Sequence, residues 1–155
     1  MIRLGVISDT HGLMRPQALD ALRGCEALLH AGDIGSPEVL DALQSLAPLT
    51  CVRGNNDTQR WASHIPESTT VEIEGVRVHL LHDLKELALE PAEERLGVIV
   101  SGHSHRPAME TRAGVLYFNP GSAGPRRFKL PVAVGILEIA GGAARGRIVQ
   151  LDIPT

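Results

Sequence analysis

The sequence predicts an α/β fold, and three observations carry that expectation. Short apolar runs alternate with amphipathic helical segments over the first third of the chain. From Thr69 onward the texture changes to β-rich runs separated by glycine. With 43% apolar and 21% charged residues in a chain of 155, there is enough material for one packed core, so residues 1–155 are expected to form a single domain.

The elements follow in order. Leu4 to Ser8 is a short apolar run, Pro16 to Leu22 repeats its apolar positions at helical spacing, and Ala27 to His30 is apolar again. Ser36-Pro37-Glu38 offers an N-cap, a proline at the first helical position and an acid in the first turn, ahead of Val39, Leu40, Leu43 and Leu46. Leu49 to Arg53 then reads as a third strand of a parallel sheet. Thr69 to Glu74 and Val76 to Leu81 flank Gly75 as a hairpin. Leu84 to Leu96 reads as a helix interrupted at Pro91, and Leu96 to Ser101 as a buried strand. Ala108 to Arg112, Val115 to Phe118, Val132 to Ile139 and Arg147 to Leu151 read as antiparallel strands joined by Gly-rich turns.

A formal charge of −3 gives no electrostatic reason to expect nucleic acid or an anionic membrane as partner. No apolar run reaches the roughly 18 residues of a membrane span. Met1-Ile2-Arg3-Leu4 leads straight into a strand pattern without the layout of a signal peptide, so the expected location is the cytoplasm. Cys25 and Cys51 fit no CxxC or disulfide framework and read as small buried apolar residues.

The chemistry gathers at strand ends. Asp9 and His11 follow the first strand, two residues apart, so an extended chain would turn both to one side. Asp33 ends the second strand behind Gly32, and Gly54-Asn55-Asn56-Asp57 ends the third. In an open α/β sheet, ligands bind outside the carboxyl ends of the strands, where all three clusters fall. His82-Asp83 closes the hairpin, and Gly102-His103-Ser104-His105 follows the strand ending near Val100. Oxygen and nitrogen donors without thiolate suit dications such as Mn²⁺, Fe²⁺, Zn²⁺, Co²⁺ or Ni²⁺, and the donors are too many for one ion.

The series Asp9-x-His11, Gly32-Asp33, Gly54-Asn55-x-Asp57, a strand-terminal His82 and Gly102-His103-x-His105 resembles the calcineurin-like metallophosphoesterases. Together with the Asn119-Pro120-Gly121-Ser122 turn, it is most like their small single-domain phosphodiesterase branch of bacteria and archaea. The resemblance implies a four-layer α/β/β/α sandwich of two mixed sheets flanked by helices. It implies two divalent ions, manganese first and iron, zinc, cobalt or nickel as alternatives. Asp9, His11, Asp33 and His105 would hold one ion, and Asp33, Asn55, His82 and His103 the other, with Asp33 shared. A hydroxide between the ions would attack phosphorus in line.

Two positions depart from that pattern. Many members carry histidine where this chain has Asn56, and asparagine cannot act as a general acid near pH 7. Asn56 and Asp57 are therefore expected to contribute hydrogen bonds, to the leaving group or to neighbouring residues. Asp83 stands where glycine commonly follows the metal-binding histidine. Among the remaining residues, His30 is expected in the core beside the site, and His64 and His79 facing solvent. Arg126 and Arg127 are expected in a solvated loop. Trp61 is expected in the cleft, in a structural contact or at a protomer interface.

The expected activity is hydrolysis of a small or nucleotide phosphodiester, with no membrane partner and with a homo-oligomer as an option. A non-catalytic protein-binding scaffold of the same fold, like the retromer subunit, is the alternative. A phosphomonoesterase or nuclease is a further one, and the low positive charge counts against a nuclease.

Overall fold

Ten strands and two α-helices make up the computed structural model, which describes residues 1–154; Thr155, the end of the expected domain, lies outside the described residues. The chain runs β1 (Ile2–Ile7), α1 (Pro16–Leu22), β2 (Ala27–His30), α2 (Pro37–Gln44) and β3 (Leu49–Cys51). It continues through β4 (Ser68–Ile73), β5 (Val76–Leu81), β6 (Leu96–Val100), β7 (Ala108–Arg112) and β8 (Val115–Asn119), and ends with β9 (Ala133–Ala140) and β10 (Ala143–Gln150). One five-stranded sheet has the order β10-β9-β1-β2-β3 and the other β4-β5-β6-β8-β7. Each is mixed: β1, β2 and β3 are parallel in the first, β5, β6 and β8 in the second, with antiparallel strands outside them. This is the two-sheet α/β fold that the sequence predicts.

The period of two sorts side chains between the layers. In β1, Leu4 and Val6 turn inward to meet Leu29, Val78, Leu80, Val98, Val100 and Phe118 of the intersheet core. Ile7 turns outward with Leu28 to meet Ala18 and Leu22 of α1 and Val39 and Leu43 of α2. Both helices begin with proline at the first helical turn, and Ser36 sits at the N-cap of α2 in extended conformation without a side-chain cap bond.

The second sheet is covered differently. The sequence suggests a helix from Leu84 to Leu96, but only a 3-10 turn at Leu84–Glu86 forms, followed by an extended and turning segment. Leu84, Leu87 and Leu89 all pack on Leu81, Leu96, Ile99 and Val115. Their spacing of three and then two residues cannot place all of them on one face of a helix. His79, which the sequence reading leaves in solvent, is also buried: it is 4% exposed, and its Nδ1 lies 2.8 Å from Thr70 Oγ1.

Two strand assignments change as well. β8 pairs parallel to β6 and antiparallel only to β7. β10 starts four residues earlier than its β-branched residues indicate, because Gly141 and Gly142 both take positive φ and close a two-residue hairpin with β9. Gly146 within β10 makes room for the Phe118 ring, which an added Cβ would meet at 2.6 Å. Among the described residues, no helix is long and apolar enough to cross a membrane.

Candidate metal centre

The carboxyl ends of β1, β2, β5 and β6 lie together, and the predicted residues meet there. Ligand atoms of Asp9, His11 and His105 lie within 4.8 Å of one another, as do those of Asp9, Asp33 and His82. His103 joins them through Nδ1, 3.3 Å from His82 Nε2. Asn55 is exposed and lines a cavity together with His82 and His103. Asn56 turns onto Asp33, donating from its backbone N–H to Oδ1 at 2.9 Å and from Nδ2 to Oδ2 at 3.1 Å. Asp57 is buried and accepts from the N–H groups of Ile34, Gly35 and Gly54. Its carboxylate fastens the Asp33 loop to the Asn55 loop and is not turned toward a leaving group.

The clusters form by a route the strand period does not describe. Asp9, His11, Asp33, His103 and His105 all have positive φ, between 47° and 72°. Left-handed backbone is costly for residues with a Cβ, and it persists where the surroundings over-determine it. The loops are held by backbone bonds, His11 N–H to Asp33 O at 2.9 Å and Gly12 N–H to Ile34 O at 2.8 Å. Gly54 and Gly102 have no room for a side chain: a Cβ would meet Asp33 Cγ at 2.7 Å at the first and Asp9 Oδ2 at 2.7 Å at the second.

Several supporting residues escape the sequence reading. Ser8 Oγ donates to Asp9 Oδ2 at 2.7 Å, and His103 N–H donates to the same oxygen at 3.0 Å. Ser122 Oγ donates to Asp9 O, while Asn119 Nδ2 donates to Gly102 O at 3.0 Å, tying the histidine loop down. His30 is fully buried, as expected. It accepts from Gly32 N–H at Nδ1, and its Nε2 lies 3.0 Å from Thr10 Oγ1, which itself donates to Ile34 O. Those roles require a neutral ring with the proton on Nε2, and burial pushes its pKa down to about 4. Asn119 and Ser122 are visible in the sequence only as part of a turn, and Ser8 only as a polar side chain at the end of an apolar run.

Electrostatics sets the carboxylates apart. Burial alone would raise Asp9, but His105, His11, Ser8 and His82 outweigh it and hold the carboxyl far below the usual range. Asp33 is likewise raised by burial and, on balance, lowered by His82 and Asn56. For His82, burial works against the charged ring, and Asp33 and Asp9 prevail and raise its pKa. A positive charge is thus favoured between these carboxylates. Asp9 Oδ1 is buried with no hydrogen-bond partner, yet stands 3.4, 3.7 and 3.8 Å from Nε2 of His105, His11 and His82. His82 directs its Nδ1 to Ala31 O at 2.8 Å, which leaves the Nε2 lone pair facing the carboxylates. An unsatisfied acceptor among ring nitrogens fits a dication, and the donor types suit one.

Trp61 is half-buried against the first-sheet core, with Nε1 donating to Gln59, so its role is a structural contact. Arg126 and Arg127 are exposed, and His64 is exposed as expected.

Comparison with known proteins places these features in context. Residues 2–142 match the model of the calcineurin-like phosphoesterase superfamily domain. A probable metallophosphoesterase of Methanothermobacter thermautotrophicus is 37% identical, over 97% of this chain and 94% of that protein. The phosphodiesterase YfcE of Escherichia coli is 30% identical, over 89% of this chain and 88% of its own length. The crystal structure of Chaetomium thermophilum Vps29 superposes with a TM-score of 0.79 at 19% identity, covering 98% of this chain and all of that one, which bears on the fold alone.

Proposed function

Given that the chain belongs to the calcineurin-like phosphoesterase superfamily, we propose that it hydrolyses phosphodiesters of small molecules or nucleotides with two divalent ions. Asp9, His11, Asp33 and His105 would hold one, and Asp33, Asn55, His82 and His103 the other. Two carboxylates compete for the shared position, since Asp9 also converges with Asp33 and His82. Both reach one ring of each group, Asp33 Oδ2 at 3.8 Å from His11 Nε2 and 3.3 Å from His82 Nε2, Asp9 Oδ1 at 3.7 and 3.8 Å, and Asp33 is taken as the shared ligand from the family resemblance. When bound, such ions supply an activated water and offset charge that builds on the phosphoryl oxygens. The chain's own part is positioning: Asn56 and His82 orient Asp33, and Asp57 fixes the two loops that present Asp33 and Asn55.

The observation that carries this reading is Asp9 Oδ1, a buried acceptor with no hydrogen-bond partner that stands among three ring nitrogens, where a cation fits. Asn56 cannot protonate a departing alkoxide near pH 7, so esters with good leaving groups are preferred. Manganese is the first ion to try, then iron, zinc, cobalt and nickel. The core shared by the two sheets supports reading the chain as one domain, and the cytoplasm is the location proposed from the sequence pattern. A scaffold of the same fold is the rival, and the complete set of ligand-capable residues speaks against it.

The test strips the chain with chelator, restores single metals and follows bis(p-nitrophenyl) phosphate beside an unactivated alkyl monoester. Activity is expected to return only with metal, and Asp33→Ala should lower it at least about 100-fold. Equal rates on the two esters would remove the leaving-group argument. No hydrolysis with any of the metals leaves the scaffold standing.

A further inference from the structure

Two cavities meet at His103. One, about 380 Å³, follows Asn55 and His82; the other, about 600 Å³, runs between the Asp83–Lys85 turn and the outer face of β7 and β8, and Asp83 and His103 line both. The larger cavity therefore borders the candidate metal centre at His103. It lies on the sheet face that no α-helix covers. Its lining is mainly apolar and includes a flat platform: the Arg112 guanidinium lies 4.3 Å from the centroid of the Tyr117 ring, and Arg112 Nε is 3.2 Å from Glu110 Oε2. Lys85 and Arg106 also line the cavity and add positive charge to it.

A guanidinium that rests on one ring and is neutralised by a carboxylate keeps a second flat face free, and its weak hydration favours another π system there. Support of the edge strand β7 does not account for the arrangement. All five β7 residues are exposed, and an exposed ion pair contributes little to stability. Charge alone, without a stack, is enough to blunt an edge.

We infer that this cavity seats the second ester group of a phosphodiester whose phosphate lies at the metal centre, and that the group is planar and aromatic, stacked on Arg112 and Tyr117. The inference rests on the phosphodiesterase reading and narrows its substrate class to aryl or nucleoside diesters.

Three diesters sharing p-nitrophenolate as leaving group test it: the methyl, phenyl and thymidine 5′-esters of p-nitrophenyl phosphate, hydrolysed by the metal-loaded chain. The phenyl and thymidine esters should exceed the methyl ester in kcat/KM by about tenfold, the scale of one stacking contact. Arg112→Ala, at an exposed position, should bring that ratio close to one and leave the methyl ester unaffected; Tyr117→Leu should do the same. Thymidine above phenyl identifies a nucleoside group, and equality of the two identifies a general aryl site. A ratio near one in the unmodified chain, or one that survives Arg112→Ala, overturns the inference.

A second measurement does not depend on turnover. Thymidine 5′-monophosphate, but not methyl phosphate, should shift backbone amide resonances of residues 108–117 in the zinc-loaded chain, and Arg112→Ala should abolish the shifts. Shifts without hydrolysis of any ester uphold the cavity and defeat the phosphodiesterase reading. Hydrolysis without shifts does the reverse.

Discussion

The first sheet is backed by α1 and α2, whereas the second has only a 3-10 turn and an extended segment behind it, yet each delivers about half of the ligand set. Loops after β1 and β2 bring Asp9, His11 and Asp33; those after β5 and β6 bring His82, His103 and His105. Both carboxylates thus come from one sheet and three of the four imidazoles from the other. What the site requires of each sheet is not a thick backing but loops tied across the seam. Such ties are present: His103 N–H to Asp9 Oδ2, His82 Nδ1 to Ala31 O, and Ala123 N–H to Ser8 O.

The difference in backing is measurable as stability. Leu28 is fully buried under the helices, and Leu81 is 4% exposed under the extended segment. Leu28→Ala should cost about 3–5 kcal/mol, the upper part of the range for buried leucine, because packed helices relax little around a cavity. Leu81→Ala should cost about 2 kcal/mol, because a segment with few main-chain bonds can settle into the space. Chemical denaturation of both variants gives the comparison, and equal losses would mean that the extended segment packs as rigidly as a helix layer.

The seam itself is probed by Gly102→Ala. The added methyl meets Ser8 Oγ and Asp9 Oδ2 and must push the histidine loop away from the first sheet. Metal affinity, read by titration calorimetry, should fall about 10–100-fold, with a smaller change in folding stability. Unchanged affinity would show that the two sets of ligands tolerate independent movement.

A last comparison separates the halves by pH. His30 belongs to the first sheet, and burial holds its folded pKa near 4 against an ordinary 6.5. Between those values the unfolded chain takes up a proton that the folded chain refuses. Its contribution is therefore complete above pH 6.5 and is lost as pH falls toward 4, at about 1.4 kcal/mol per pH unit. His30→Gln should lack that part of the slope in denaturant midpoints measured across the interval. Parallel slopes for the two chains would show that His30 does not titrate there.

The first sheet is also the half more legible in the sequence. Its parallel strands and two helices carry apolar periodicity, proline at the helix start and carboxylates at strand ends, all of which are local signals. The candidate ligands are legible in both halves because short motifs name them. The covering of the second sheet is not, because Leu84, Leu87 and Leu89 resemble an interrupted helix until the sheet face that they must cover is known. The burial of His79 is not legible either. Asp9 and His11 were expected to converge by strand alternation, and they converge instead through left-handed turns fastened by Thr10, His30 and Ser8. Asp and His favour such a turn only weakly, and here it is held by contacts distant in the chain.

The tie between His103 and Asp9 spans 94 positions of sequence. Closing so wide a loop costs entropy that is recovered only after both sheets have formed and docked. The proposed metal pocket is consequently a late product of folding, not its template, and any ion it takes would enter a finished vessel. Refolding in the presence of a strong chelator should then proceed at the same rate as refolding with manganese, while the unfolding rate alone responds to the metal.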